Sequence, residues 1–87
     1  MSEVDVEVIL ESMSSGSSQK LDWHHSIVDL MKLVGMESGL AQRKALAQEL
    51  GYSGDMNDSA PMNIWLHKQV MQKMSENGGK VPANLLH

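Results

Sequence analysis

Two stretches of this chain end in a glycine followed by a large hydrophobic residue, at Gly35-Met36 and at Gly51-Tyr52. Before each glycine, apolar residues recur every three or four positions, which is the spacing of one helix face. Glycine ends a helix by adopting a left-handed conformation, and the hydrophobic residue after it packs back on the last turn. Only a few residues connect the two stretches, so they predict a tight helical hairpin or corner.

The starts of these two helices are predicted from residues that favour the N-cap position. Asp22 is expected to cap the first helix and Ser38 the second. The apolar face of the first is predicted to comprise Trp23, Ile27, Leu30, Met31 and Val34, and that of the second Leu40, Ala41, Leu46, Ala47 and Leu50.

A longer helix is predicted after a polar loop at residues 53–58. Asp58 or Ser59 is expected to cap it, and Pro61 falls in its first turn, where the missing N–H has no cost. A strict i+4 row runs through Met62, Leu66, Val70 and Met74, with Trp65 on one flank and Ile64 and Met71 on the other. A face this wide predicts a central helix touched from several directions.

The glycine pair Gly78-Gly79 is expected to end the long helix. Residues 80–87 are predicted to form an extended tail, because Pro82 holds the residue before it in extended geometry. Leu85 and Leu86 are the residues expected to dock this tail on the core.

The first segment alternates acidic and apolar residues, which by itself is typical of a strand. No other segment alternates in this way, so a strand would lack a partner, and the continuation through Val6, Ile9, Leu10 and Met13 fits a helix. We predict a helix capped by Asp5, followed by a flexible Ser/Gly linker. This acidic helix is expected to be the least anchored part and to exchange its amide hydrogens fastest.

These patterns predict an all-α fold, a compact bundle of about four helices with an extended C-terminal tail. We expect one domain over residues 1–87, divided into the first helix and linker (1–19) and the core (20–87). Eighty-seven residues are too few for two independent cores.

The charge distribution and composition exclude several classes of function. The net charge is −4, and the first base, Lys20, comes after four acidic residues, so there is no basic patch for nucleic acid. The absence of cysteine excludes disulfides and thiolate chemistry. No apolar run approaches a membrane span. We expect a cytoplasmic location, or the cell envelope through a longer parent protein.

The histidines raise the question of a metal or catalytic site. His24 and His25 are adjacent, so on a helix they point about 100° apart and do not chelate one ion. Recruiting His67 is conceivable, but no spacing demands it. A calcium loop is excluded because Ala60 stands at its glycine position and Leu66 at its glutamate position. We therefore expect no catalytic residue, no metal and no cofactor.

Candidate interaction residues come from the methionines, tryptophans and amides. Met31, Met62, Met71 and Met74 lie on apolar stripes and are expected in the core, in a chain that has no Phe. Met36 and Met56, together with Trp23, are candidates for an exposed apolar patch, although Trp23 also suits the core. Asn57 and Asn63 are candidates for a shallow polar groove. The oligomeric state is left open.

The chain resembles a bacterial family described only as a domain of unknown function. The blocks that carry the resemblance are KLDW (20–23), SIVDL (26–30), ALA (45–47), ELGY (49–52), GD (54–55), NDSA (57–60), MNIWLH (62–67) and NGGKVP (77–82). The resemblance spans residues 4–86 and implies an all-helical domain, commonly the C-terminal part of a longer protein. Some relatives carry cell-envelope or peptidoglycan-binding labels. The resemblance supplies no catalytic residue.

Three classes of function are compatible with these features of the sequence. We expect a non-catalytic interaction or scaffolding module whose partner is another protein. The first alternative is a cell-envelope or peptidoglycan-associated module, which predicts exposed Trp and amide side chains. The second is a small enzyme or metal-binding domain, which predicts a histidine meeting a carboxylate in a concave pocket.

Overall fold

The computed structural model describes residues 1–86 and confirms the all-α prediction. Its elements are α1 (Glu3–Ser15), α2 (Ile27–Leu33), α3 (Leu40–Glu49), α4 (Ser59–Glu76) and a 3-10 turn over Ala83–Leu85, here named the tail turn. No strand occurs within the described range. The radius of gyration, 12.3 Å, is close to the value of about 12 Å expected for a compact chain of this length.

Helix α4 is the centre of the bundle, as its apolar row predicted. Met62, Leu66, Val70 and Met74 are all buried, and α1, α2 and α3 each pack against this helix. Asp58 is its N-cap residue and Pro61 lies in its first turn. Met71 is buried as well, but Ile64 is 64% exposed. The expectation that Ile64 widens the buried face was wrong, because the three packed helices leave that side of α4 to solvent.

Both glycine stops are confirmed. Gly35 has φ of 81°, and the Met36 N–H donates to the Met31 carbonyl oxygen at 2.8 Å. Gly51 has φ of 87°, and the Tyr52 N–H donates to the Ala47 carbonyl oxygen at 2.9 Å. These bonds from the residue after the glycine close the helix ends and direct the following side chain onto the core.

Helix α2 begins four residues later than predicted. Its N-cap is Ser26, whose hydroxyl oxygen accepts from the Asp29 N–H, and the Asp29 carboxylate accepts from the Asp22 N–H at 2.8 Å. Asp22 is therefore not the cap. It begins a turn over residues 22–25 whose backbone groups bond to other parts of the fold.

Helix α3 also differs from the prediction at its start. Gly39, rather than Ser38, is the N-cap residue, and the Ser38 carbonyl oxygen accepts from the Arg43 Nε–H at 3.1 Å. Leu46 and Ala47 are buried as expected, whereas Leu40 and Ala41 are exposed. Arg43, rather than Leu40 or Ala41, is the residue of this first turn that faces the bundle, where it bonds to Asn63 of α4.

Helix α1 is joined firmly to the bundle. Ser2, not Asp5, is its N-cap, and Asp5 completes a capping box by accepting from the Ser2 N–H. Val6 and Leu10 are fully buried, so the hydrophobic core includes this helix as well as residues 20–87. Met13, which the helical pattern placed on the same face, is exposed.

The C-terminal segment is a short turn rather than an extended tail. Pro82 is the N-cap of the tail turn, and the Leu85 N–H donates to the Pro82 carbonyl oxygen. Leu85 is buried, while Leu86 is 45% exposed. Of the two leucines expected to dock the tail, only Leu85 does so.

Candidate functional site

An apolar pocket lies where α2, the loop after it, α3 and the tail turn meet. Its volume is about 220 Å³. We name it the α2–α3 pocket. Its lining residues are Met31, Met36, Glu37, Gln42, Ala45, Leu46, Glu49 and Leu85.

Local structure explains why these side chains converge. Gln42, Ala45, Leu46 and Glu49 are spaced i, i+3, i+4 and i+7, so they form one face of α3. Gly35 turns the chain after α2 by adopting a left-handed conformation. This turn brings Met36 to the pocket, which Met31 of α2 also lines.

The tail turn closes the remaining side. Leu85 is 4% exposed, and it lies in the core cluster although 39 positions separate it from Leu46. The pocket is therefore a product of the tertiary structure, since no local stretch of sequence contains both walls.

The lining combines apolar walls with an acidic rim. Met31, Met36, Leu46 and Leu85 supply apolar surface, and the two methionines are flexible enough to adapt to a ligand's shape. Glu37 and Glu49 supply carboxylates, and no basic residue is among the lining residues. Both acids are exposed at the rim.

The size of the pocket limits its occupant. A cavity of about 150 Å³ lined by apolar side chains holds a benzene molecule, whereas sites for drug-sized ligands occupy roughly 300–1,000 Å³. The α2–α3 pocket, at about 220 Å³, lies between these values. It therefore matches one large side chain better than an extended small molecule.

Of the five predicted interaction residues, Met36 lines this pocket and Trp23 does not lie on the surface at all. Trp23 is 2% exposed and belongs to the core, so the prediction that it suits the core is confirmed and its candidacy for an exposed patch is wrong. Its indole stacks on the His24 ring at 3.6 Å between centroids, and its carbonyl oxygen accepts from His67 Nε2 at 2.6 Å. These contacts hold the turn before α2 against α4.

The remaining three predicted residues lie elsewhere. Met56 packs half-buried against the core cluster. Asn57 is exposed in a turn in which its N–H donates to the Asp55 carboxylate at 2.8 Å. The Asn63 side-chain oxygen accepts from Arg43 Nη1 at 2.7 Å. None of the three lines the α2–α3 pocket.

The three histidines within residues 1–86 form two exposed pairs and one structural bond. His24 Nε2 lies 3.8 Å from a Glu11 carboxylate oxygen, and His25 Nδ1 lies 3.0 Å from an Asp22 carboxylate oxygen. His67 bonds to the backbone of Trp23. Within residues 1–86 no three His, Asp or Glu side chains are grouped as metal ligands would be.

Met36 is the one lining residue that the sequence also offered for interaction, whereas the α3 face and Leu85 were not predicted to line a pocket. Gln42, Ala45 and Glu49 have the spacing of one helix face, but two of the three are polar. The apolar pattern of the sequence therefore did not single out this face. Leu85 was expected to dock on the core, yet nothing local indicated what it would face. As for membranes, none of the helices in the described range has the length and apolarity to cross a bilayer.

The fold and the pocket together define a small all-α domain with an apolar cleft between α2, α3 and the tail turn. The chain belongs to the family described as a domain of unknown function (DUF3597), whose model matches residues 1–82. The predicted resemblance to such a family is thereby confirmed. The comparisons with curated proteins and with solved structures gave no match.

Proposed function

We propose that this domain is a non-catalytic protein-interaction module whose α2–α3 pocket receives one bulky apolar side chain of a partner protein. The observation that carries the proposal is the pocket itself, with apolar walls from Met31, Met36 and Leu46 beside the Glu37 carboxylate. Interfaces depend on a few large side chains seated in such pockets. We place the interaction in the cytoplasm, and the cell envelope, reached through a longer parent protein, is the alternative.

The charge around the pocket supports a partner segment that carries a base near its apolar anchor. Glu37 is exposed and lies at the rim. A Lys or Arg beside the inserted side chain would meet the Glu37 carboxylate, which mainly raises association rate and selectivity.

Two observations make a protein partner a better fit than peptidoglycan. Sugar binding was expected to use exposed tryptophans, but Trp23 is buried. Trp65 is half-buried and its ring lies 5.0 Å from that of Tyr52. Neither offers an open stacking face, whereas the α2–α3 pocket is open and apolar.

The test uses one substitution at two positions of α3. Ala45 and Ala41 are both exposed, but only Ala45 lines the pocket. Arginine is tolerated well in helices, so Ala45→Arg should fill the pocket and leave the fold intact, and Ala41→Arg is the matched control. A displayed library of random peptides is selected on the wild-type chain and then measured on both variants.

We expect selected peptides to share a bulky apolar residue near a Lys or Arg and to bind Ala45→Arg at least tenfold more weakly than wild type or Ala41→Arg. Replacing Glu37 by Gln should weaken binding of the basic peptides by a few fold, and this effect should fade at high salt. Peptides that bind both arginine variants equally would overturn the proposal. Retention of the wild-type chain on purified cell-wall sacculi, with no peptide selected, would favour the envelope alternative.

A further inference from the structure

The tail turn separates the α2–α3 pocket from a second depression. This neighbouring depression has a volume of about 410 Å³ and is lined by Glu49, Leu50, Lys73, Pro82, Asn84 and Leu85. Glu49 and Leu85 line both spaces. The Leu85 side chain is therefore the ridge that separates the α2–α3 pocket from the neighbouring depression, and without it the two would be continuous.

The tail turn packs on the core cluster through the buried side chain of Leu85, and half-buried Val81 packs there just before it. Backbone hydrogen bonds of residues 80–86 run to Asn77 or stay within the segment, as from Leu85 to Pro82 and from Leu86 to Ala83. These local bonds would remain if Leu85 left its place.

The segment begins directly after the glycine pair that follows α4. Gly78 and Gly79 both have positive φ, 66° and 87°, and the match to the family ends at residue 82. The part of the chain that carries the ridge thus lies outside the part that matches the family.

We infer that residues 83–86 occupy, within the same chain, a groove that a partner segment takes over when the tail turn leaves. This inference rests on the proposed function and adds a regulating step to the same site. The partner segment should share the tail's own chemistry, a leucine in a short turn with a basic residue nearby, as Leu85 and Lys80 provide here. A tethered segment competes at an effective concentration in the millimolar range. The partner therefore binds the intact chain more weakly than it would bind the open groove.

The test uses the full chain with Leu85→Ala, and with Leu86→Ala as the matched control because Leu86 is its exposed neighbour. The probe is a fluorescent synthetic peptide of residues 80–86, and binding is followed by anisotropy. We expect the peptide to bind Leu85→Ala at least tenfold more tightly than wild type or Leu86→Ala. A peptide in which Leu85 is replaced by Ala should not bind.

A second variant leaves the core side chains in place. Pro82→Gly loosens the tail by increasing the freedom of its released state, so it should strengthen peptide binding by roughly two- to fivefold. Circular dichroism confirms that each variant is folded. If folded Pro82→Gly and Leu85→Ala bind the peptide no better than wild type, the inference is overturned.

Failure of this inference is distinguishable from failure of the proposed function. Library peptides that are sensitive to Ala45→Arg but bind wild type and Leu85→Ala equally would preserve the interaction module and remove the tail as its competitor. Conversely, binding of the tail peptide to Leu85→Ala, with no library peptide selected, would support the groove as a site for the chain's own segment and remove the proposed partner.

Discussion

His67 Nε2 lies 2.6 Å from the backbone carbonyl oxygen of Trp23 and joins the middle of α4 to the turn before α2. A carbonyl oxygen only accepts, so Nε2 carries the hydrogen. This bond accounts for the one histidine that the sequence left as a possible recruit for a metal site. Because the Trp23 carbonyl oxygen accepts this bond, the turn over residues 22–25 is not an N-terminal extension of α2.

We expect His67→Ala to lower the free energy of unfolding by about 1–3 kcal/mol, because the buried Trp23 carbonyl loses its donor. Urea unfolding followed by tryptophan fluorescence measures this loss. The control is Lys68→Ala at the exposed next position, which should change stability by no more than about 0.5 kcal/mol. Equal effects of the two substitutions would show that the bond contributes nothing.

The glycine pair after α4 provides a second prediction. Both residues have positive φ, but a Cβ at Gly78 meets open space, whereas a Cβ at Gly79 collides with the end of the Ile9 side chain. Gly78→Ala should cost roughly 1–2 kcal/mol from backbone strain alone. Gly79→Ala should cost about 1 kcal/mol more, because the end of the Ile9 side chain has to move aside.

Thermal unfolding of the two alanine variants measures the difference. Adding Ile9→Ala to Gly79→Ala should narrow the difference in stability from Gly78→Ala, since it removes the Ile9 Cδ1 atom with which the new Cβ collides. If Gly79→Ala is no less stable than Gly78→Ala, the packing of α1 over this glycine is not as described.

Helix α1 yields a third prediction, because Leu10 is fully buried and Val8 is exposed on the opposite side. Leu10→Ala should destabilise the domain by about 2–5 kcal/mol. Val8→Ala should change stability by no more than about 0.5 kcal/mol. Hydrogen exchange of α1 tests the same point, and we expect its central amides to be protected together with those of α4. Early exchange throughout α1 would instead support the sequence-based view of a loosely held helix.

The contact between Arg43 and Asn63 is the fourth subject for measurement. Arg43 Nη1 donates to the Asn63 side-chain oxygen at 2.7 Å, and Arg43 Nε donates to the Ser38 carbonyl oxygen at 3.1 Å. A double-mutant cycle of Arg43→Ala and Asn63→Ala should give a coupling energy of about 0.5–1.5 kcal/mol.

Arg43→Lys serves as the control for charge. Lysine keeps the positive charge but lacks the planar fork that serves both acceptors, so it should recover only part of the lost stability. Full recovery with lysine would mean that charge, rather than the two directed hydrogen bonds, joins α3 to α4.

The elements of the fold were largely predictable, while the composition of the pocket was not. The spacing of apolar residues predicts the i+4 row of α4. The conformational freedom of glycine predicts the helix ends at Gly35 and Gly51. Met36 was predicted as an interaction residue from the same turn. Leu85 was predicted only as a docking residue. Trp23 was predicted for the core and was also a candidate for an exposed patch.

The sequence by itself determined what depends on neighbours along the chain: that the segments are helices, where glycine ends them and which row of α4 is buried. The tertiary structure decided what depends on contacts between distant residues. It set the start of α2 through the bonds of Asp22 and Trp23, and it formed the α2–α3 pocket by bringing Leu85 to α3. Helical periodicity specifies which face is apolar, but only packing specifies what that face meets.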